Sequence, residues 1–476
     1  MTDPAPMSSA PAAAPTSVAP AGGLITLADL ERLAARGEVD TVLVVFPDLY
    51  GRFMGKRVPA AFFLDSVAKA GMHACNYLLT VDMEMEVVPG YELANWARGY
   101  GDFHCVPELS TLRRLSWLDR SAQVICDLEM NHEPVAIAPR SILKRQLASA
   151  AEGGYRVMAA SELEYYLFKE TYDSARTKGF DKLETFGWYL EDYHMLQGTK
   201  EEAFNGALRR HLDASGIPVE SSKGEWGPGQ HELNIRYAEA LEMADRHCIY
   251  KQAAKEIALQ AGVAVTFMAK WKSDFAGSSM HLHLSLWDKS GESARFPGET
   301  ALGPLRASDE LRWFLGGWIA HARALAPFYA PYPTSYKRYV FQSWAPTNLA
   351  WSVDNRTAGF RLLGEGPSLR IECRIPGADA NPYLAFAASI AAGLDGIANK
   401  IEPPPEFSGD AYEAGDVPKV PASLREAVAE MEKSEMLRNA FGDDVIAHYA
   451  HFFRVEQEKL DRVVTTWERE RYFERA

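Results

Sequence analysis

The stretch ASELEYYLF, residues 160–168, decides how the larger part of this chain is interpreted. Glu162 and Glu164 alternate with apolar residues and then lead into an aromatic run. Because successive side chains of a β-strand point to opposite faces, the two carboxylates share one face while Leu163 and Tyr165 share the other. The pattern predicts a core strand that is apolar on one side and functional on the other.

The same two-residue spacing recurs in two later segments. GSSMHLHLSLW, which begins at residue 277, puts His281 and His283 on one face, and LRIECRIP, which begins at residue 369, puts Glu372 beside Arg374. Taken singly, each such segment is more often a solvent-exposed face of a sheet or a pair of core side chains that already have hydrogen-bond partners. Their recurrence in one region of the chain favours a shared functional face.

A turn adds two further carboxylates to this set. In GEWGPGQHELNI, residues 224–235, Glu225 and Glu232 flank a Gly-Pro-Gly turn that can bring both side chains to one point. Acids gathered in this way repel one another unless cations neutralise them. Carboxylates with one or two imidazoles and no thiolate form a donor set for Mg²⁺ or Mn²⁺ in preference to zinc or copper.

Several arginines in the same region suit phosphates or carboxylates, because a planar guanidinium donates two parallel hydrogen bonds. They predict a nucleotide site, although GRFMGKR at residues 51–57 is one residue too short between its glycines for a Walker loop. The alternative is a charged surface that balances nearby acids. If the arginines form a nucleotide site, metal ions would bind the phosphates together with Arg338, Arg356, Arg361, Arg370 and Arg374.

Composition excludes several classes of protein. The chain has 476 residues, of which 47% are hydrophobic, and this size predicts two domains. A net charge of −14 argues against nucleic-acid binding, and no long uncharged apolar run supports a membrane span. Five scattered cysteines without a CxxC pair argue against a disulfide scaffold or a zinc ribbon, so we expect a cytoplasmic protein.

We expect three segments along the chain. They are a disordered Ala/Pro-rich tail at residues 1–23, a small α+β domain at 24–137 and a larger, motif-rich domain at 138–476. Within them the sequence predicts a capped helix from residue 26, a hairpin over 41–59, a helix that starts near Pro139, and long helices over 238–261, 309–325 and 382–399.

Taken together, the motifs resemble the glutamine synthetase family, type I branch, over residues 24–476. SELEYYLF resembles the first metal-binding strand of that family, GEWGPGQHE the second metal-binding element, GSSMHLHLSL the histidine strand, DNRTAGFR the phosphate-binding arginines, and RIECRIPGADANPYLAFAASIAAGLDGI the last metal-binding strand with its following helix. The resemblance implies an α+β fold, in which an N-terminal β-grasp domain precedes a glutamine synthetase catalytic domain with an antiparallel sheet backed by helices. It also implies a homo-oligomer, a dodecamer of two stacked hexamers with active sites between neighbouring subunits.

The resemblance also implies roles for individual residues, with ATP as the nucleotide and two or three Mg²⁺ or Mn²⁺ ions per active site. One ion would bind Glu164, Glu225 and Glu232, and another would bind Glu162, His281 and Glu372. ATP would contact Arg356, Arg361 and Ser285. Substrate contacts are implied for Glu164, Gly277, His281, Arg338, Arg374 and Trp344, and direct parts in catalysis for Arg338, Arg356 and Glu372.

The sequence departs from ammonia-using glutamine synthetases at the nitrogen site. Their flap ends in Gly-Tyr-Glu-Ala-Pro, whereas FQSWAPTN here places Trp344 at the position of the glutamate. Their Asp-Gly-Ser-Ser segment is replaced by HACNYLLTVD, in which the ammonium-binding aspartate is lost and Tyr77 is present. Ala276 replaces an asparagine beside Gly277. These changes imply a roomier aromatic pocket for an organic amine.

We therefore expect an ATP-dependent ligase similar to the γ-glutamylamine ligases, which the C-terminal WERERYFE also resembles. It would join the glutamate γ-carboxylate to an organic amine through γ-glutamyl phosphate and release ADP and phosphate. Polyamines, ethanolamine, alkylamines and anilines remain open, and a polyamine would need acids such as Asp82, Glu84 and Glu86 along its channel. The alternatives are an ammonia-dependent glutamine synthetase and a catalytically silent structural or regulatory relative. The presence of every expected metal ligand disfavours the silent relative.

Overall fold

The computed structural model describes residues 23–476. The tail predicted for residues 1–23 lies outside the described residues except for Gly23, which is buried and whose carbonyl accepts a hydrogen bond from the backbone N–H of Arg114 at 2.8 Å. Among residues 23–476, no helix has the length and apolar character needed to cross a bilayer.

Six strands form the N-terminal sheet: β1 (Thr41–Pro47), β2 (Phe53–Pro59), β3 (Met72–Cys75), β4 (Asp102–Arg114), β5 (Ser121–Met130) and β6 (Glu133–Pro134). The strand order is β2-β1-β5-β4-β3, and β6 pairs with β5. Only β1 and β5 run parallel within this sheet. Three short helices accompany it: α1 (Leu27–Ala35), α2 (Ala60–Phe62) and α3 (Ala68–Ala70), the last two joined by a π-helical turn over Phe63–Val67.

Local sequence signals explain where these elements begin and end. The Thr26 side chain accepts a hydrogen bond from Asp29 N, and Asp29 accepts one from Thr26 N, so α1 starts at a capping box. The hairpin of β1 and β2 pairs Thr41 with Pro59 and Pro47 with Phe53, as the alternating pattern predicts. Strand β1 is buried along most of its length.

The larger sheet contains the functional strands. Its members are β7 (Tyr155–Phe168), β8 (Val219–Gly224), β9 (Gln230–Ile235), β10 (Ala238–Glu239), β11 (Ala264–Thr266), β12 (Met280–Asp288), and, after a separate hairpin of β13 (Pro297–Leu302) and β14 (Leu305–Ala307), β15 (Trp351–Val353), β16 (Phe360–Leu363) and β17 (Arg370–Cys373). The order is β15-β16-β17-β12-β7-β9-β8, and β10 and β11 both pair with β7. Except for the parallel pair β15 and β16, the neighbours are antiparallel.

Ten α-helices belong to residues 138–476, and some of them back this sheet. They are α4 (Pro139–Glu152), α5 (Tyr172–Thr177), α6 (Met195–Ala214), α7 (Ala240–Ala261), α8 (Asp309–Tyr329), α9 (Pro382–Asn399), α10 (Leu424–Lys433), α11 (Glu435–Phe441), α12 (Asp443–Asp461) and α13 (Thr466–Tyr472). Helices α4 and α7 pack on β7, and α9 packs between α4, α7 and α8. The predicted α+β architecture, with an antiparallel sheet backed by helices, is confirmed.

The helix boundaries follow the predictions closely, with two differences. Helix α7 starts at Ala240 because residues 238–239 pair with β7. Helix α8 continues through Pro327 to Tyr329, where the sequence predicts an end at residue 325. A proline removes one N–H donor but has a helical φ, and the buried side chains of Phe328 and Tyr329 hold the last turn in place.

A buried ion-pair network joins the N-terminal sheet to the helices behind the larger sheet. Arg140 of α4 donates to both carboxylate oxygens of Asp245 on α7 at 3.1 Å and to Asp127 of β5 at 2.5 Å. The Tyr383 hydroxyl of α9 donates to Asp245 at 2.6 Å. The predicted domain boundary at residue 137 lies just before Arg140, so this side chain connects the two regions. The boundary itself stays a prediction.

Replacing Arg140 by methionine should lower the free energy of unfolding by about 3–5 kcal/mol, because the buried carboxylate of Asp245 would lose its cation. Urea denaturation followed by circular dichroism measures this change. The matched control is Lys144→Met, which removes a partner of Asp127 from a position that is 42% exposed. We expect the control to cost about 0–1 kcal/mol. Equal effects of the two substitutions would contradict a structural role for the buried network.

Candidate active site

The register of the larger sheet brings the predicted functional residues together. Glu164 on β7 pairs with Glu232 on β9, and Glu162 on β7 pairs with His281 on β12. His283 of β12 pairs with Glu372 of β17. Directly paired side chains of antiparallel strands lie about 5 Å apart, so three strand pairs collect these groups on one face. A cleft of about 1110 Å³ opens above this face.

Glu164, Glu225 and Glu232 form the first group of candidate metal ligands. One carboxylate oxygen from each lies within 4.8 Å of the others. Glu164 is fixed by hydrogen bonds from Ser279 N at 2.8 Å and from the Gln230 side chain at 3.0 Å. The three residues are the set that the sequence predicts for one ion.

Glu162, His283 and Glu372 form the second group, with ligand atoms again within 4.8 Å of one another. His281, the imidazole that the sequence analysis assigns, also lies here: its Nδ1 is 3.1 Å from Glu162 and 3.6 Å from Glu372. His283 was not predicted as a ligand, although its position two residues after His281 puts it on the same face. Both imidazoles therefore converge on the two carboxylates.

The electrostatics of the second group suit a metal ion. Burial and the neighbouring charge of Arg374 lower the pKa of His281 to about 4, so its imidazole is neutral at pH 7, the form that binds metals. Burial alone would raise the pKa of Glu162, but hydrogen bonds from His281 and His283 hold that pKa well below its ordinary value. Ionised carboxylates and the neutral imidazole of His281 provide oxygen and nitrogen ligands for a divalent ion.

In the first group, by contrast, the pKa values of the carboxyl groups of Glu164 and Glu232 are raised. Burial and the nearby charge of Glu225 raise the pKa of Glu164 to about 8. Burial, Glu162 and Glu225 together raise the pKa of Glu232 well above its ordinary value. The only cation in direct contact with this group within residues 23–476 is Lys223, which pairs with Glu225. Three carboxylates with a single lysine fit a divalent ion that would remove their mutual repulsion.

Four of the predicted arginines line the cleft, and three of these four are already engaged. Arg361 donates to Glu372 at 3.1 Å and pairs with Asp354, while Arg374 donates to Glu372 at 2.5 Å. Arg338 donates to backbone carbonyls of residues 374 and 375 and to the Ser279 hydroxyl. Arg356 is exposed on the cleft and has no ion pair or hydrogen bond from its side chain within the described chain. Its guanidinium is thus available to a bound anion.

Gly277 and Ser285, two further predicted site residues, differ in whether they line the cleft. Gly277 lines the cleft, and a Cβ on it would come within 2.5 Å of Arg338 Cγ, so this position requires glycine. Ser285 lies further along β12, where its hydroxyl accepts a hydrogen bond from the Trp287 ring at 3.1 Å, and it does not line the cleft. The predicted contact of Ser285 with a nucleotide stays a prediction.

An aromatic pair stands at the rim of the cleft. Trp344 packs edge-on against Trp226 with ring centroids 5.3 Å apart, and each side chain is a little over 40% exposed. Trp344 has a φ of 64°, which is unusual for a bulky residue and fixes the direction of its ring. Trp226 was not predicted, although it immediately follows the ligand Glu225. Tyr77 does not line this cleft; it packs on Tyr100 in the N-terminal region.

The fold agrees with comparisons to known proteins. The glutamine synthetase catalytic-domain family matches residues 136–472. The chain belongs to the glutamine synthetase family. It is 45% identical to the γ-glutamylethanolamide synthetase GlnA4 of Streptomyces coelicolor, over 94% of this chain and 95% of that protein.

Two further relatives extend the comparison. A glutamate–isopropylamine ligase of Pseudomonas sp is 36% identical over 92% of this chain and 95% of its own length. Among solved structures, the GmaS/ADP complex superimposes with a TM-score of 0.81 at 28% identity, covering 94% of this chain and 99% of the other. Enzymes of this family are ligases that use ATP and divalent metal ions.

Binding of Mn²⁺ to the first ligand group should release a proton. Because the pKa of Glu164 is about 8, its carboxyl is mostly protonated at pH 7 and must ionise before it binds. We expect the Mn²⁺ affinity from titration calorimetry to rise by up to about tenfold per pH unit below pH 8 and to level off above it. The matched variant Glu164→Gln should bind more weakly and show a shallower dependence, because only the raised pKa of Glu232 would then contribute to it. An affinity independent of pH would contradict the proposed environment of Glu164.

Proposed function

We propose that this protein is an ATP-dependent ligase that joins the γ-carboxylate of glutamate to a small organic amine. The observation that carries the proposal is one cleft in which two groups of metal ligands face the free guanidinium of Arg356, with the Trp226–Trp344 pair at its rim. The names of two similar proteins, a γ-glutamylethanolamide synthetase and a glutamate–isopropylamine ligase, support the same activity.

The two ligand groups would hold two or three Mg²⁺ or Mn²⁺ ions. When bound, these ions neutralise charge on the phosphate oxygens of ATP. Arg356 supports the same charge because its guanidinium is free to meet a phosphate. Arg361 is fixed by Glu372 and Asp354 and would contact ATP from that position. Arg338 and Arg374, both buried beside Gly277, are assigned to glutamate and its phosphorylated form.

The reaction would take place in two steps. An oxygen of the glutamate γ-carboxylate attacks the terminal phosphorus of ATP, so the bond to ADP breaks and γ-glutamyl phosphate forms. The amine nitrogen then attacks the γ-carbonyl carbon, phosphate leaves, and the nitrogen loses one proton. Arg338, Arg356 and Glu372 are the residues assigned to catalysis: the arginines stabilise developing negative charge, and Glu372 holds Arg374 and Arg361 in place.

The amine site is assigned to the aromatic rim. Trp344 replaces the acidic residue that an ammonium ion would need, and Trp226 extends the apolar surface. A polyamine would require further acids, but Asp82 and Glu84 both pair with Lys459 of α12. The lysine offsets one of their two charges, and none of Asp82, Glu84 and Glu86 lines the cleft. This arrangement favours a short amine, such as ethanolamine or isopropylamine, over spermidine.

We further propose a cytoplasmic homo-oligomer, with a dodecamer of two stacked hexamers as its assembly. Support for the location comes from five free cysteines, four of which are buried. Support for the assembly comes from membership in a family whose enzymes are generally oligomeric. Gel filtration with light scattering tests the assembly directly.

The activity is tested by phosphate release from ATP with glutamate and Mg²⁺ or Mn²⁺, using ammonium, methylamine, isopropylamine, ethanolamine, putrescine, spermidine and aniline in turn. We expect a short organic amine to give its γ-glutamyl amide, identified by mass, with a kcat/KM at least about tenfold above that for ammonium. The variant Glu164→Ala should assemble normally and release no phosphate. If ammonium were the best substrate, the protein would be a glutamine synthetase; no release with any amine would indicate a silent relative.

Replacing Trp344 by glutamate should shift the preference toward ammonium. An acid at the rim attracts a small cation and removes apolar surface, so we expect kcat/KM for the organic amine to fall by about tenfold while that for ammonium rises. The matched control is Trp467→Glu, the same substitution at an exposed site on α13 that does not line the cleft. If both variants kept the original preference, Trp344 would not contact the amine.

A further inference from the structure

A third cluster of potential metal ligands lies beside the cleft. Glu191 comes from the loop before α6, Glu201 from α6 and His231 from β9. One ligand atom from each lies within 4.8 Å of the other two. His231 precedes Glu232 on the strand, so their side chains leave opposite faces of the sheet. His231 borders the cleft but Glu191 and Glu201 do not, and the cluster shares no residue with the two groups that face the cleft.

All three side chains are buried and poorly satisfied. Their exposed fractions are 0% for Glu191, 1% for Glu201 and 2% for His231. Glu191 Oε2, both carboxylate oxygens of Glu201 and His231 Nε2 have no hydrogen-bond partner in the described part of the chain. His231 Nε2 points at both glutamates, 3.4 Å from Glu191 Oε2 and in contact with Glu201 Oε2. Two buried carboxylates that face one another and an imidazole in this way need a shared proton or a shared cation.

The charge of the cluster is not balanced by the surrounding protein. No lysine or arginine of residues 23–476 forms an ion pair with Glu191 or Glu201. Lys200, adjacent to Glu201 in sequence, lies instead over the Trp188 ring with its Nζ 4.4 Å from the centroid. When both glutamates are ionised, even a protonated imidazole leaves one negative charge uncompensated in the interior. A divalent cation would neutralise the two carboxylates.

The backbone is shaped to hold the Glu191 carboxylate. Glu191 Oε1 accepts a hydrogen bond from Gly229 N at 2.7 Å, which leaves Oε2 directed at His231. A Cβ on Gly187 would overlap Oε1, and a Cβ on Gly224 would come within 2.9 Å of the Glu191 Cβ. Glycine at these two positions therefore makes room for the acid.

His231 is oriented by a second hydrogen-bonded side chain. The amide of Asn205 lies 3.1 Å from His231 Nδ1, and the Tyr165 hydroxyl is 2.6 Å from the same amide. Ligation through Nε2 requires a proton on Nδ1 and therefore an Asn205 amide turned with its oxygen toward the ring. The Tyr165 hydroxyl can accept from the amide nitrogen in that orientation, because a phenol both donates and accepts. Such partners commonly orient metal-binding histidines.

We infer that Glu191, Glu201 and His231 bind one divalent metal ion in a closed structural site. One imidazole with two carboxylates suits Zn²⁺ or Mn²⁺. The site would stabilise the turn that carries Glu225 and Trp226, because Asp192 N donates to the Glu225 carbonyl at 3.0 Å and Tyr193 N to the Gly224 carbonyl at 3.3 Å. This inference does not depend on the proposed function.

The test measures tightly bound metal per chain by plasma mass spectrometry. The full-length protein is loaded with Zn²⁺ or Mn²⁺ and then passed through chelator-containing buffer to remove weakly held ions. We expect about one equivalent to remain in the wild type and to be lost in Glu201→Gln, with a lower melting temperature in that variant. Glu202→Gln, the same substitution one residue along α6, should keep the ion. Glu225→Gln should also keep it, which separates this site from the cleft.

The competing arrangement is a proton held between the two glutamates. Glutamine mimics a protonated glutamate, so in that case Glu201→Gln would melt at the wild-type temperature or above it, and the wild type would retain no ion. That pair of results would overturn the inference. If Glu201→Gln does not fold, the wild type decides alone: native mass spectrometry must show one retained ion per chain, and a metal-free spectrum after loading with both metals would be decisive against the site.

Discussion

Glu372 has no exposed surface, and it lies between the guanidinium groups of Arg361 and Arg374 with the imidazole of His281 3.6 Å away. A buried carboxylate is stable only when such partners compensate it. These contacts connect β16, β17 and β12, so they fix the part of the sheet on which the cleft is built. Burial favours the neutral acid, but Arg374 and the two imidazoles hold the pKa of Glu372 below its ordinary value.

Glu162 and Glu164, two carboxylates on the same face of β7, have pKa values shifted in opposite directions. Glu162 faces imidazoles, and its pKa is low; Glu164, two residues further, faces other carboxylates, and its pKa is about 8. The difference arises from the adjacent strands, since β12 supplies histidines on one side and β9 supplies an acid on the other. A divalent ion at the first group must displace a proton, whereas one at the second group meets ligands that are already ionised.

The turn between β8 and β9 contributes residues to more than one candidate site. It contributes Glu225 to a ligand group and Trp226 to the aromatic rim, and His231 and Glu232 follow it on opposite faces of β9. Its backbone is held by the loop that carries Glu191. Metal binding at Glu191, Glu201 and His231 and amine binding at the Trp226–Trp344 rim would thus both act on this short turn. A rigid turn keeps a ligand and a pocket wall in a constant relation.

The sequence by itself determined the family and the α+β fold, because its motifs resemble those of a known family. It also determined most of the candidate site, because alternation with period two fixes which side chains share a face. It also located Trp344 from its position in a motif. It did not identify His283 as a candidate ligand, Trp226 as a partner of Trp344, or the group of Glu191, Glu201 and His231. These contacts depend on strand register and on a loop packed against a helix. Only the tertiary structure decides them, because no local pattern specifies which distant side chains meet.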